Sequence, residues 1–128
     1  MRIFLGGTCN GSKWRDWVIP HLHHDFFNPV VEVWDSKAIL AEEKAKKECD
    51  ILLFVITPKM EGAFSIAEVV SFSHTDPFKT VLCVLEDDDG VEWSAAQHKS
   101  MEQVVKLVKE NGTYTFNTLE SLVRYLNH

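Results

Sequence analysis

The chain has no Cys-x-x-Cys pair, and its three cysteines, Cys9, Cys49 and Cys83, are odd in number and widely separated. That usage excludes a disulfide framework and a zinc knuckle and fits reduced, cytoplasmic conditions. No apolar run approaches the roughly 18 residues that a membrane span requires. Basic residues are outnumbered, 13 against 19 acidic ones, for a net charge of −6. An acidic chain without a basic face is a poor partner for nucleic-acid polymers. The opening Met1-Arg2-Ile3-Phe4-Leu5 goes straight into a strand-like run and lacks the layout of a secretory leader. Linkers, repeats and low-complexity tracts are also missing. The 128 residues, 45% of them hydrophobic, are therefore expected to form one domain over 1–128 with a packed core.

What is present is an alternation of short apolar runs and helical patterns. Ile3 to Leu5 reads as a buried strand ending at Gly6-Gly7, followed by a helix from Ser12 to His24 that Pro20 should kink or shorten. Val30 to Val33 reads as a second strand. Ser36 opens a helix with Ile39, Leu40 and Ala41 facing inward and the Glu42 to Glu48 run mostly solvated. Ile51 to Ile56, almost wholly apolar, has the character of a parallel strand covered on both faces. A helix over Phe64 to Phe72, a strand over Val81 to Leu85, a helix over Ala95 to Lys109, a strand over Thr113 to Phe116 and a helix over Leu119 to Leu126 complete the pattern. Such alternation indicates an α/β fold: a three-layer sandwich, flavodoxin-like, with a five-stranded parallel sheet of order 2-1-3-4-5.

In that order a crevice opens between the first and third strands, where ligands bind beyond the C-terminal strand ends. Three connections meet there, and they are expected to bring Gly6, Gly7, Asp35, Gly62 and Glu68 around one pocket. The first, Gly6-Gly7-Thr8-Cys9-Asn10-Gly11-Ser12-Lys13, has the glycines that let backbone N–H groups approach an anion. It matches neither a Walker loop nor G-x-G-x-x-G, and a tight turn capped by Ser12 explains it equally well. Glu68 lies in the first turn of the helix after the third strand. A carboxylate there can act as nucleophile or general base. Ser65-x-x-Glu68 also fits a capping box, which would use both side chains to start the helix.

These segments together resemble the nucleoside 2-deoxyribosyltransferases and related N-glycosidases. The resemblance rests on Ile3-Phe4-Leu5-Gly6-Gly7-Thr8 with Trp14-Arg15, on Asn28-Pro29, on Cys49-Asp50-Ile51-Leu52-Leu53-Phe54, and on Ser65-x-x-Glu68, and it spans roughly residues 3 to 86. It implies that Glu68 is the nucleophile in cleavage or transfer at the N-glycosidic bond of a nucleoside or nucleotide, with net retention and no cofactor. It further implies substrate contacts from Gly6, Gly7, Thr8, Trp14, Arg15, Asp35, Glu42 (with Glu43 as its neighbour), Gly62 and Ser65. A homo-oligomer follows from the same resemblance, since family sites borrow residues from a neighbouring subunit. Transferases of the family carry an aspartate a few residues before the nucleophile. Here Gly62 stands nearest that place, with Glu61 beside it, so hydrolysis and transfer both stay open. Lys13 and Arg15 are the cations available for a 5′-phosphate.

Other features point less far. His21, His23, His24 and Asp25 lack a second pair to complete a tetrahedral metal site. Asp87-Asp88-Asp89-Gly90 is an acidic turn without the calcium-loop pattern. Trp34 and Trp93 follow strands and suit either ring stacking or packing. The rival reading is an FMN electron carrier, in which Thr8 to Ser12 would hold the phosphate. A third is a non-catalytic nucleotide-binding module.

Overall fold

A computed structural model describes residues 1–9 and 11–128. Among the described residues the chain runs β1 (Arg2–Gly7), α1 (Trp14–His21), β2 (Asp25–Phe27), α2 (Ser36–Glu48), β3 (Ile51–Ile56), α3 (Phe64–Thr75), β4 (Thr80–Val84), β5 (Asp87–Asp88), β6 (Val91–Glu92), α4 (Ala95–Glu110), β7 (Tyr114–Phe116) and α5 (Leu119–Leu126). Five strands form an all-parallel sheet of order β2-β1-β3-β4-β7. With β7 as the fifth sheet strand, this is the expected 2-1-3-4-5 order. None of the described helices is long and apolar enough to cross a membrane.

The period of two along each strand divides the core between the two faces. Ile3, Leu5, Leu53, Val55, Val81 and Cys83 point to one side, where Trp14 and Val18 of α1 and Leu122 and Leu126 of α5 cover them. Phe4, Leu52, Phe54, Ile56 and Leu82 point to the other, under Ala45 of α2, Val69 of α3 and Met101 and Val108 of α4. All of these strand residues are buried, so the middle strands carry no solvent face.

Several local expectations are corrected. The second strand is Asp25–Phe27, with Phe26 and Phe27 paired to Ile3 and Phe4, and not Val30 to Val33. Val30, Val31 and Val33 are exposed on the connection that follows, where Asn28 Oδ1 accepts the Val30 N–H at 3.1 Å in an Asx turn. Pro20 sits in the last turn of α1, and the helix stops at His21. Ser12 does not cap that helix; its hydroxyl donates to Asp88 at 2.5 Å. Helix α3 begins at Phe64 with Ala63 as its cap, so Ser65 lies inside the first turn and makes no capping box with Glu68. A capping box with both bonds does form one helix later, between Ser94 and Gln97. The acidic turn is the tip of the β5–β6 hairpin, with Asp89 and Gly90 both at positive φ as a two-residue hairpin loop requires.

Helix α2 is also turned differently from expectation. Its inner stripe is Ala38, Glu42, Ala45, Lys46 and Cys49, spaced as one helical face. Ile39, Leu40 and Ala41 are exposed. The Glu42 to Glu48 run is thus not wholly solvated. It turns one acid and one base toward the sheet.

Candidate active site

The site begins with the end of β1. Gly7 has φ +121°, and a Cβ there would lie 2.0 Å from the Val55 carbonyl oxygen, so only glycine can pair with β3 at this point. Beyond it, Thr8 is buried and ties the loop to β3: its N–H donates to Val55 O at 2.9 Å, and its hydroxyl accepts the Thr57 N–H at 3.0 Å. The Thr8 carbonyl accepts both the Trp14 indole N–H and an Arg15 N–H, each at 2.9 Å.

Arg15 is buried. Its Nε donates to Leu5 O at 3.0 Å and its other arm to Gly7 O at 3.4 Å, while the guanidinium lies 4.4 Å from the centre of the Trp14 ring. Burial draws the guanidinium below the ordinary arginine value, opposed by Cys9 and by Glu42. Trp14 itself is a core residue, 3% exposed. The structure places its ring beneath the loop and not on the wall of the cavity described next.

A cavity of about 310 Å³ opens beyond the C-terminal ends of β1 and β3, a volume within the range of small-molecule sites. Gly6, Gly7, Arg15, Glu42, Ser65 and Glu68 line it, and Trp34 and Phe64 stand at its mouth, 59% and 73% exposed. A smaller hollow of about 170 Å³ adjoins it, sharing Gly7, Cys9, Phe64 and Ser65 and adding Thr8 and Gly62. The fold thus brings together Gly6, Gly7, Glu42, Ser65 and Glu68, with Gly62 and Thr8 next door. Asp35 lines neither space. It is the N-cap of α2, its Oδ1 accepting the Ala38 N–H at 2.9 Å. Asn10 of the first loop lies outside the described residues.

Charge in this cavity is organised by a residue absent from the sequence-based site. Lys46 reaches between the two carboxylates, bonding Glu68 Oε2 and Glu42 Oε1, the latter at 3.1 Å. All three side chains are at least 84% shielded, with exposures of 15% for Lys46, 16% for Glu42 and 12% for Glu68. Burial pulls the Lys46 ammonium down, but Glu68 and then Glu42 outweigh it and leave the ammonium above the ordinary lysine value. The Glu42–Lys46 spacing of four was legible as a helix pair. The bond to Glu68, 22 residues away, was not. Away from this cavity, His21 stacks on Trp17 at 4.2 Å, and the Trp93 indole donates to Leu85 O at 2.8 Å.

Two half-buried carboxylates at the strand ends can serve nucleophilic and acid–base chemistry on a small polar molecule. Comparison with curated proteins finds no match to the chain. A protein-family model described as "Nucleoside 2-deoxyribosyltransferase like" matches residues 1–88, from the first strand through the cavity and into the β5–β6 hairpin. With four of the five sheet strands, the glycine-ended β1 and the Glu68 cavity inside the matched span, the chain belongs to the nucleoside 2-deoxyribosyltransferase-like family.

Proposed function

We propose that the chain cleaves or transfers at the N-glycosidic bond of a nucleoside, with Glu68 as nucleophile. The observation that carries this reading is the Glu68 carboxylate on the cavity wall, with Oε2 bonded to Lys46 and no hydrogen bond to Oε1 among the described residues. Oε1 attacks the anomeric carbon as the C–N bond breaks. The base leaves with the bonding pair and takes a proton from solvent. Water or a second base then attacks the same carbon, the ester C–O bond breaks, its electron pair returns to Glu68, and the acceptor's proton passes to solvent. Two inversions give net retention. The sugar is cation-like in both transition states, and the Glu42 and Glu68 carboxylates lower its energy.

Trp34, exposed at the mouth, offers a face on which a base can stack. Arg15, the cation on the cavity wall among the described residues, already donates to three backbone carbonyls. That favours an uncharged nucleoside over a 5′-phosphate. Val30, Val31, Trp34 and Phe64 leave an exposed apolar rim on the cavity, which suits burial against a second copy, so the active form is a homo-oligomer. A monomer by light scattering at working concentration would overturn that part.

The experiment that tests the reaction is a panel of deoxynucleosides, ribonucleosides and their 5′-monophosphates, each with and without an acceptor base, followed by chromatography. Free base from at least one nucleoside is expected. Exchange into a new nucleoside identifies a transferase; base release alone identifies a hydrolase. No release from any substrate at high enzyme concentration would overturn the proposal.

A further inference from the structure

Lys46 does not line the cavity; it stands behind the two carboxylates that do. We infer that Lys46 is the positioning residue for Glu68: its ammonium holds Oε2, directs Oε1 at the sugar, and receives the carboxylate charge back when the glycosyl-enzyme breaks down. The role assigned to Glu68 rests on the function proposed above. The Lys46–Glu68 coupling does not.

The surroundings of Lys46 suit that task. Its own turn of α2 is pinned from below by the Lys79 ammonium, which donates to the Lys46 carbonyl at 3.1 Å and the Lys47 carbonyl at 3.4 Å. The Phe4 ring lies 5.7 Å from the ammonium and closes the apolar side. Those supports fix where the charge sits. The side chain is short of freedom, so the carboxylate it holds is short of freedom too.

Glu42 gives the arrangement its second half. When Glu68 becomes an ester it loses its negative charge, and a half-buried ammonium left alone would be costly. Glu42, at 3.1 Å on the same ammonium, keeps it paired through that stage. In the second step the ester C–O bond breaks and the electron pair returns to Glu68. The ammonium is then already in place to meet the departing carboxylate. An ion pair in the resting enzyme opposes the first step, because it stabilises the attacking group. The same pair favours the second step, because it stabilises the leaving group. The largest effect of Lys46 therefore falls on breakdown of the intermediate. The other ionisable groups facing this cluster are Arg15 on α1 and Cys9 in the β1–α1 loop, both on the wall of the same cavity.

Two measurements test this, one of which needs no turnover. In the first, lysine side-chain carbons are followed by NMR through an alkaline titration of the wild type, Glu68→Gln and Glu42→Gln. Lys46, assigned by its loss in Lys46→Met, is expected to titrate above the ordinary lysine value in the wild type and to move down in both variants, further in Glu68→Gln. An unmoved Lys46 in Glu68→Gln would overturn the coupling, whatever the enzyme's activity. In the second, Lys46→Met should lower kcat by about tenfold to a hundredfold, the equivalent of one charge-assisted hydrogen bond. KM should fall in step with kcat, leaving kcat/KM within about threefold of wild type, since the slowed step follows formation of the glycosyl-enzyme. Intact mass should show the glycosyl-enzyme accumulating, and Lys46→Arg should restore part of the rate. Wild-type kcat in Lys46→Met, or a lower kcat without accumulation, would overturn the role in breakdown. A moved Lys46 titration with no base release from any substrate would count against the glycosidase reading and not against the coupling.

Discussion

Arg15 and Lys46 approach the cavity from helices on opposite faces of the sheet, and they use their donors differently. Arg15 on α1 donates to the carbonyls of Leu5, Gly7 and Thr8. Lys46 on α2 donates to the carboxylates of Glu42 and Glu68. A carbonyl keeps its dipole throughout a reaction, whereas a carboxylate can lose and regain a full charge. The arginine side of the cavity is therefore scaffold, shaping the loop after β1 through a rigid fork of donors. The lysine side is the part whose electrostatics can change as bonds form and break. One helix holds the wall, and the other brings Glu42 and Lys46 to the Glu68 carboxylate of α3.

The largest test of this contrast is Glu68→Gln. The amide keeps the shape and can still accept from Lys46, but it removes the attacking charge. Turnover should fall by on the order of a thousandfold or more, while unfolding free energy changes by only about 1 kcal/mol. Near wild-type base release from this variant would end the glycosyl-enzyme proposal. On the other side, Arg15→Lys should act through stability. A lysine cannot reach three carbonyls at once, and leaving buried acceptors unmet should cost about 3 kcal/mol, read as a lower denaturant midpoint. If Arg15→Lys keeps its midpoint but loses turnover, the assignment of scaffold and chemistry is reversed.

Raising the pH separates the cations from a group away from the site. Burial pushes the Cys83 thiol from 9.0 up to about 12. Its folded value lies above its unfolded one, so the native state keeps a proton that the unfolded chain releases. The contribution is complete below pH 9.0 and is lost as pH rises toward about 12. Stability should drop by up to about 1.4 kcal/mol per pH unit in that window, near 2 kcal/mol by pH about 10.5. Denaturation curves at stepped pH measure the slope, and Cys83→Ala should flatten it despite a lower starting stability. The smallest effect is expected at Asp35. Asp35→Ala removes the N-cap of α2 and should cost about 1 kcal/mol, with kcat/KM nearly intact. A tenfold loss of kcat/KM without unfolding would return Asp35 to the substrate's surroundings.

The strand order was legible because β3 and β4 are apolar on both faces. Ile51 to Ile56 and Val81 to Cys83 have no stable alternative to burial between two helical layers. The edge was harder to read. Val30, Val31 and Val33 have the composition of a strand, but it is Asp25–Phe27 that pairs with β1, because Phe26 and Phe27 can bury rings against the sheet. Composition reports what a segment could bury, and pairing decides which segment does.

The same division runs through the site. Sequence alone determined that β1 ends in glycine, that Glu68 follows β3 by one connection, and that both belong at the crevice of a parallel sheet. These are local spacings plus one topological rule. Sequence could not decide which Ser-x-x-Glu/Gln pattern closes a capping box. Ser94-Gln97 closes a capping box; Ser65-Glu68 does not, because α3 starts at Phe64 and Glu68 meets Lys46 from α2. Nor could it turn α2, whose apolar Ile39 and Leu40 suggested an inward face that Glu42, Ala45 and Lys46 occupy instead. Periodicity fixes which residues share a helical face. Only the tertiary structure decides which face meets the sheet, and here it is the face of Ala38, Glu42, Ala45 and Lys46 that does, with Ile39 and Leu40 left exposed.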